Sequence, residues 1–168
     1  NEKDLKSHNI ECKINLPGVG ENLIDHPEVP IIAKANGSYG YYKQGEGWRM
    51  LKNGLEFLLF GTGPVNSTGV EAGAFINPFN LKALPQIQVF FLSNMYMNSD
   101  TIGKIKEDYG MSLTTVVTKP KSRGNVKLNS NNPDDPPLIN LNLLKHKDDM
   151  AMMIAGQRFF IDARSEER

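Results

Sequence analysis

The pattern of this sequence predicts an α+β fold, an antiparallel sheet flanked by helices. Three observations lead there. A Thr/Val-rich segment, Ser112–Lys119, is followed by a tight reversal at Pro120–Gly124 and then by a second alternating segment, which is hairpin order. Two segments of helical periodicity, 46–60 and 148–161, stand apart from the strands. The chain shows no run of alternating βαβ units, which would signal a parallel sheet.

Taken in order, Glu2–His8 reads as a short helical end and Ile10–Asn15 as a strand, with Ile10, Cys12 and Ile14 on one side. Leu16-Pro-Gly-Val-Gly20 is a turn, because Pro and two Gly stop either regular structure. Val29–Ala35 is a strand, and Asn36–Gly47 a loop rich in Gly and Tyr. Trp48, Leu51, Leu55, Leu58 and Leu59 follow helical spacing, so 46–60 is an amphipathic helix with Trp48 in its core-facing stripe, stopped at Gly61 and Gly63-Pro64. Small residues fill Val65–Ala74. Gln86–Leu92 is a strand with Ile87, Val89 and Phe91 on one face and Gln88, Phe90 and Leu92 on the other. Ser112–Lys119 and Asn125–Ser130 form the hairpin. Asn131–Pro137 is a polar loop and Leu138–Leu143 an extended edge. Asp148 is placed as the N-cap of a last helix with a stripe of Met150, Met153, Ile154, Phe160 and Ile161, and a charged tail, 164–168, ends the chain.

The 168 residues carry 19 Lys+Arg against 19 Asp+Glu, and 39% are hydrophobic, which suits one folded domain. Zero net charge supplies no overall basic field for nucleic acid. The single cysteine, Cys12, excludes an intramolecular disulfide and a multi-cysteine zinc site, and it reads as a buried structural thiol. No run approaches the roughly 18 apolar residues that span a bilayer. The charged start shows no signal peptide. Sequons at Asn36 and Asn66 are chance-level triplets. The chain starts at Asn1 and not at Met, so a piece of something longer is the expectation.

Chemistry-bearing motifs are scarce. Gly18-Val19-Gly20 starts like a dinucleotide fingerprint, but the third glycine would be residue 23, which is Leu23. There is no phosphate-binding P-loop and no Gly-x-Ser-x-Gly elbow. His8, His26 and His146 are far apart, so no helix-borne metal pair forms. Asp134-Asp135 and Asp148-Asp149 read as a polar loop and a helix start, and Lys119, Lys121 and Arg123 as a solvated turn.

Two stretches carry more. Leu16-Pro-Gly-Val-Gly-Glu-Asn-Leu-Ile-Asp-His-Pro27 resembles a segment of the glucose–methanol–choline (GMC) oxidoreductases, which carry FAD. Pro120-Lys-Ser-Arg-Gly-Asn-Val-Lys-Leu128 resembles that family's Pro-x-Ser-Arg-Gly-x-Val-x-Leu hairpin, and Pro133–Ile139 and Asn142-Leu143 continue it in register. Between them, Gly63-Pro64, Gly69–Phe75 and Pro85–Gln88 are familiar from the same proteins. The ordered set covers nearly the whole chain.

The resemblance implies that residues 1–168 are most of the substrate-binding domain, with the Rossmann-like flavin-binding part upstream and the catalytic histidine downstream of this sequence. It implies oxidation of an alcohol to a carbonyl: a base takes the hydroxyl proton and FAD takes the hydride. This piece would supply cavity walls and would be inactive alone. Its partners would be a small-molecule alcohol and the rest of the flavoenzyme, with no metal and no nucleic acid.

The resemblance also implies candidate residues. Glu28, two places after His26, matches the acidic residue that holds the quaternary ammonium in choline-oxidising members; a surface Glu at a strand start is the other reading. Phe90 stands where choline enzymes often carry His, and an aromatic wall there suits an apolar alcohol or a cation. His26 either orients groups near the flavin or makes a structural hydrogen bond. Asn22 either fixes its turn or meets the flavin region. Asn94, with Met95 and Tyr96, follows the Phe strand toward the cavity. GMC-related hydroxynitrile lyases and light-driven fatty-acid decarboxylases are alternative reactions, and a stand-alone binding module is an alternative role. A domain parted from its flavin partner would expose apolar surface and self-associate.

Overall fold

A computed structural model describes residues 1–97 and 102–165. Its strands are β1 (Glu21–Leu23), β2 (Glu28–Lys34), β3 (Val70–Ile76), β4 (Ile87–Leu92), β5 (Gly110–Val117), β6 (Gly124–Lys127) and β7 (Leu138–Asn140). Its helices are α1 (Glu2–Ser7), α2 (Gly47–Phe60) and α3 (Lys147–Ser165), with a 3-10 turn at Pro64–Asn66. The larger sheet has the order β2-β5-β4-β3 and the smaller one β1-β6-β7, and every pairing is antiparallel. The α+β class with antiparallel sheets and flanking helices is therefore what the chain adopts.

β5 is the inner strand on which the larger sheet is built. Its β-branched run packs α3 on one face, where Val117, Ile87, Met152 and Met153 form the core with Val29, Ile76, Leu144 and Phe160 around it. Gly156 sets how close the helix comes. A Cβ there would lie 3.0 Å from Thr115 Cγ2 and 3.2 Å from Ile87 Cγ1. The buried face of α3 thus runs through Asp149, Met152, Met153 and Gly156, and Met150 and Ile154 of the expected stripe stay 42% and 44% exposed.

Several expectations are corrected. The segment 125–130 is not the hairpin partner of 112–119: β6 pairs with β1 and β7, and β5 pairs with β2 and β4. Residues 118–123 are a crossover between sheets. Ile10–Asn15 forms no strand, since no neighbouring strand offers its ladder, and Ile14 is 74% exposed. Cys12 is half-buried there. Glu21–Leu23 and Val70–Ile76 are strands that local pattern did not announce. α3 begins before Asp148: the Asp148 amide donates to His146 Nδ1 at 3.2 Å, and His146 is the cap. α2 ends as expected, with Gly61 at φ 64°. Trp48, however, is 77% exposed and not in the core. The charged tail lies outside the described residues beyond Ser165.

Candidate functional site

Register defines two faces of the larger sheet. One carries Val29, Ile76, Ile87, Thr115 and Val117 against α3. The other carries Glu28, Pro30 and Ile32 of β2, Ser112, Thr114 and Val116 of β5, and Gln88, Phe90 and Leu92 of β4. Glu28 faces Val116, and Phe90 faces Thr114. Strand spacing puts the Glu28 and Phe90 backbones roughly 12 Å apart on this second face. Phe90 is half-buried and Glu28 exposed.

Tyr96 spans the same face. Its amide donates to Ser112 Oγ at 2.7 Å, and its hydroxyl donates to Glu28 Oε1 at 3.3 Å. Those anchors lie on either side of the Pro30–Thr114 pair, so the Tyr96 ring crosses it. Beneath lies Thr114, fully buried, whose Oγ1 has no hydrogen-bond partner among the described residues. A buried hydroxyl left without a partner costs about 1–3 kcal/mol, and such atoms merit a functional question. The sequence directs Tyr96 toward the cavity together with Asn94 and Met95, and carries no signal for Thr114. Only the register places them under and over Glu28's face.

The remaining candidates are elsewhere. His26 is exposed; its amide donates to Asp25 Oδ1 at 2.8 Å and its Nε2 stands 4.0 Å from the same atom. Its neighbour Pro27 is buried and its carbonyl accepts from the Val117 amide at 3.1 Å, which fixes the entry into β2. Asn94 is exposed at the opposite end of the sheet, on a polar groove of about 180 Å³ shared with Tyr42, Lys43, Glu46 and Asp108. The structure therefore gathers Glu28 and Phe90 and separates Asn94 from them.

Asn22 sits in β1 with φ 60° and is exposed. The loop before it is pressed onto β6, where a Cβ on Gly20 (φ 80°) would lie 2.2 Å from Val126 O. A carboxamide is donor and acceptor at once, so Asn22 fits the polar edge of a flavin ring. The residues present fit that one contact, and the sequence has no glycine-rich phosphate loop for the nucleotide.

Both resemblance motifs prove to be crossovers between the sheets, 21–28 going one way and 118–124 the other. The second is fastened by Asp149, which is 3% exposed. Its carboxylate accepts from the Lys121 amide at 2.8 Å, the Ser122 amide at 2.7 Å and Ser122 Oγ at 2.6 Å. Burial pushes the Asp149 carboxyl up, but these donors outweigh burial and hold it below the usual carboxylate range. Ser122 Oγ in turn accepts from the His146 amide at 2.9 Å. Arg123 Nη1 donates to Pro120 O and Ser122 O at 2.8 and 2.9 Å, closing the loop on itself. Lys121 Nζ reaches Asp148 at 2.6 Å and lowers its carboxyl. The Ser-Arg-Gly motif is thus a scaffold device, and its basic residues are committed to it.

Residues 120–167 match the family model described as GMC oxidoreductase. The oxygen-dependent choline dehydrogenase of Brucella canis is 34% identical over 148 residues, 88% of this chain and 26% of that protein. The alcohol dehydrogenase [acceptor] of Pseudomonas putida is 34% identical over 157 residues, 91% of this chain and 28% of that protein. A solved formate oxidase aligns with a TM-score of 0.75 at 23% identity, over 95% of this chain and 32% of that one. Pyridoxine 4-oxidase from Mesorbium loti aligns at 0.68 and 18% identity, over 92% of this chain and 26% of that one. The chain belongs to the GMC oxidoreductase family. It spans about a quarter of the length of the curated relatives it matches.

Proposed function

We propose that residues 1–168 are the substrate-binding domain of a longer flavin-dependent enzyme that oxidises an alcohol to a carbonyl, with the flavin-binding part and the catalytic base in sequence outside this chain. The observation that carries the reading is the shared sheet face of Glu28, Tyr96, Thr114 and Phe90, in a chain whose relatives include a choline and an alcohol dehydrogenase.

The chemistry that FAD supplies when bound is acceptance of a hydride. This chain's share is binding and exclusion of water. Glu28 presents a carboxylate that attracts a cationic head group once water is excluded, and Tyr96 fixes the rotamer of that carboxylate through its hydroxyl. Phe90 offers a ring that takes either a cation or an apolar chain. Asn22 offers a carboxamide for the flavin ring.

The test is spectroscopic. The full-length protein, purified, is expected to be yellow, to release FAD on denaturation, and to bleach anaerobically when its alcohol is added. A colourless protein overturns the flavoenzyme reading. A yellow protein that no alcohol bleaches, choline and aromatic alcohols included, overturns the alcohol reaction and points to lyase chemistry.

A further inference from the structure

Gln88 is a polar residue in a largely apolar part of the larger sheet. Alternation along β4 sends its neighbours Ile87 and Val89 into the core, at 0% and 3% exposure, and leaves Gln88 and Phe90 on the opposite face. Register then lines Gln88 up with Phe75 of β3 on one side, and with Val116 of β5 and Glu28 of β2 on the other. Its neighbours Phe75, Phe90 and Val116 on that face are all apolar.

The Gln88 carboxamide is uncommitted. The residue is half-buried, yet its side chain makes no hydrogen bond among the described residues. Carboxamides that hold the fold behave differently. Asn53 donates to Gln44 O at 2.9 Å, and Asn77 to Leu84 O at 3.2 Å. Gln157, from α3 on the other face of the same sheet, donates to Val29 O at 2.7 Å. No such contact accounts for the polar atoms of Gln88.

Room for a ligand lies beside it. Gly73 of β3 stands opposite Phe90 in the ladder and is exposed. With no side chain there, the face is open next to Phe90; a Cβ would also come to 3.0 Å from Val89 O. Gly73 and Gln88 are diagonal neighbours, about 7–8 Å apart. A group laid over Gly73 against the Phe90 ring is therefore within reach of the Gln88 carboxamide. Such a group displaces water from that carboxamide. A purely apolar ligand returns no hydrogen bond and is disfavoured, whereas a ligand with its own oxygen restores one. Glu28 reads different chemistry, with its backbone roughly 10 Å from that of Gln88. Its carboxylate only accepts and already takes the Tyr96 hydroxyl, whereas a carboxamide both donates and accepts.

We infer that Gln88 is a specificity-determining residue of this face, and that the alcohol it selects carries a hydrogen-bonding oxygen besides the hydroxyl that reacts. This rests on the reading of the face as the substrate's. The experiment uses the full-length enzyme and pairs of alcohols that differ by an ether oxygen in place of a methylene: phenoxyethanol against phenylpropanol, and butoxyethanol against heptanol. Ligand-observed NMR gives the dissociation constants. The wild-type enzyme is expected to bind the ether of each pair about tenfold more tightly, a difference of ~1.4 kcal/mol. Gln88→Met keeps the length of the side chain and removes the carboxamide, so it should bind both members of a pair equally. A wild-type enzyme with no ether preference overturns the inference, whatever the variant does. So does a preference that survives in Gln88→Met, including one where both members weaken alike, which marks a structural role. Anaerobic bleaching by the same alcohols is scored beside binding. An ether preference that depends on Gln88, in an enzyme that no alcohol bleaches, removes the reaction and keeps the recognition. Bleaching without ether preference does the reverse.

Discussion

At the scale of single residues, the fold hangs on groups that do no chemistry. Asp149 satisfies two amides and a hydroxyl at the crossover into the smaller sheet. Asp149→Ala is expected to cost about 2–4 kcal/mol, because those donors are left buried without partners, and urea unfolding measures it. The sign with pH follows from its lowered carboxyl. A folded pKa below the unfolded value stabilises fully above about pH 4 and is lost as pH falls through the lower, folded value. Asp149→Asn should therefore be less stable at neutral pH and show a shallower loss of stability on acidification. Glu28 carries the opposite expectation, since it is exposed and the role proposed for it is in binding. In the full-length enzyme Glu28→Gln should raise KM for a quaternary-ammonium alcohol about tenfold, a difference of ~1.4 kcal/mol, and leave a neutral alcohol unchanged. Equal effects on both alcohols would remove Glu28 from cation recognition.

At the scale of elements, α3 and β5 decide the architecture together. Gly156 lets the helix sit against Thr115 and Ile87. Gly156→Leu should force the helix off the sheet and cost about 1–3 kcal/mol, seen as a lower melting temperature. Periodicity announced both elements, but not the helix's angle on the sheet. That angle was set by the Asp149 staple at one end and the missing Gly156 side chain in the middle, neither of which belongs to an apolar pattern. Local pattern was a weaker guide for β1 and β3, which are glycine-rich or lie beside glycines and gain their ladder from β6 and β4. It misread Ile10–Asn15 for the converse reason. Alternation makes a strand possible, and a neighbour with free amides makes it real.

At the scale of the whole molecule, the exposed stripe of α2, together with Phe75, Phe79, Leu81 and Leu84 at the β3 edge and its loop, leaves large apolar side chains in water. The isolated 168-residue chain is expected to self-associate as concentration rises, and sedimentation velocity measures this. Leu55→Glu with Leu58→Glu should reduce it, whereas monodisperse behaviour of the unaltered chain at high concentration would contradict it. The sequence by itself determined the class of the fold, the central strands and the family, because alternation, turn residues and fixed motifs are local properties of the chain. It also marked Glu28 and Phe90, through the resemblance alone. Only the tertiary structure decided that these two share a face, that Tyr96 crosses it from Ser112 to Glu28, and that Asn94 lies at the far end. It alone decided that both motifs are crossovers and that α2 turns its apolar side outward. The reason is physical: register and helix rotation are set by long-range contacts whose partners are tens of residues away, and no local period encodes them.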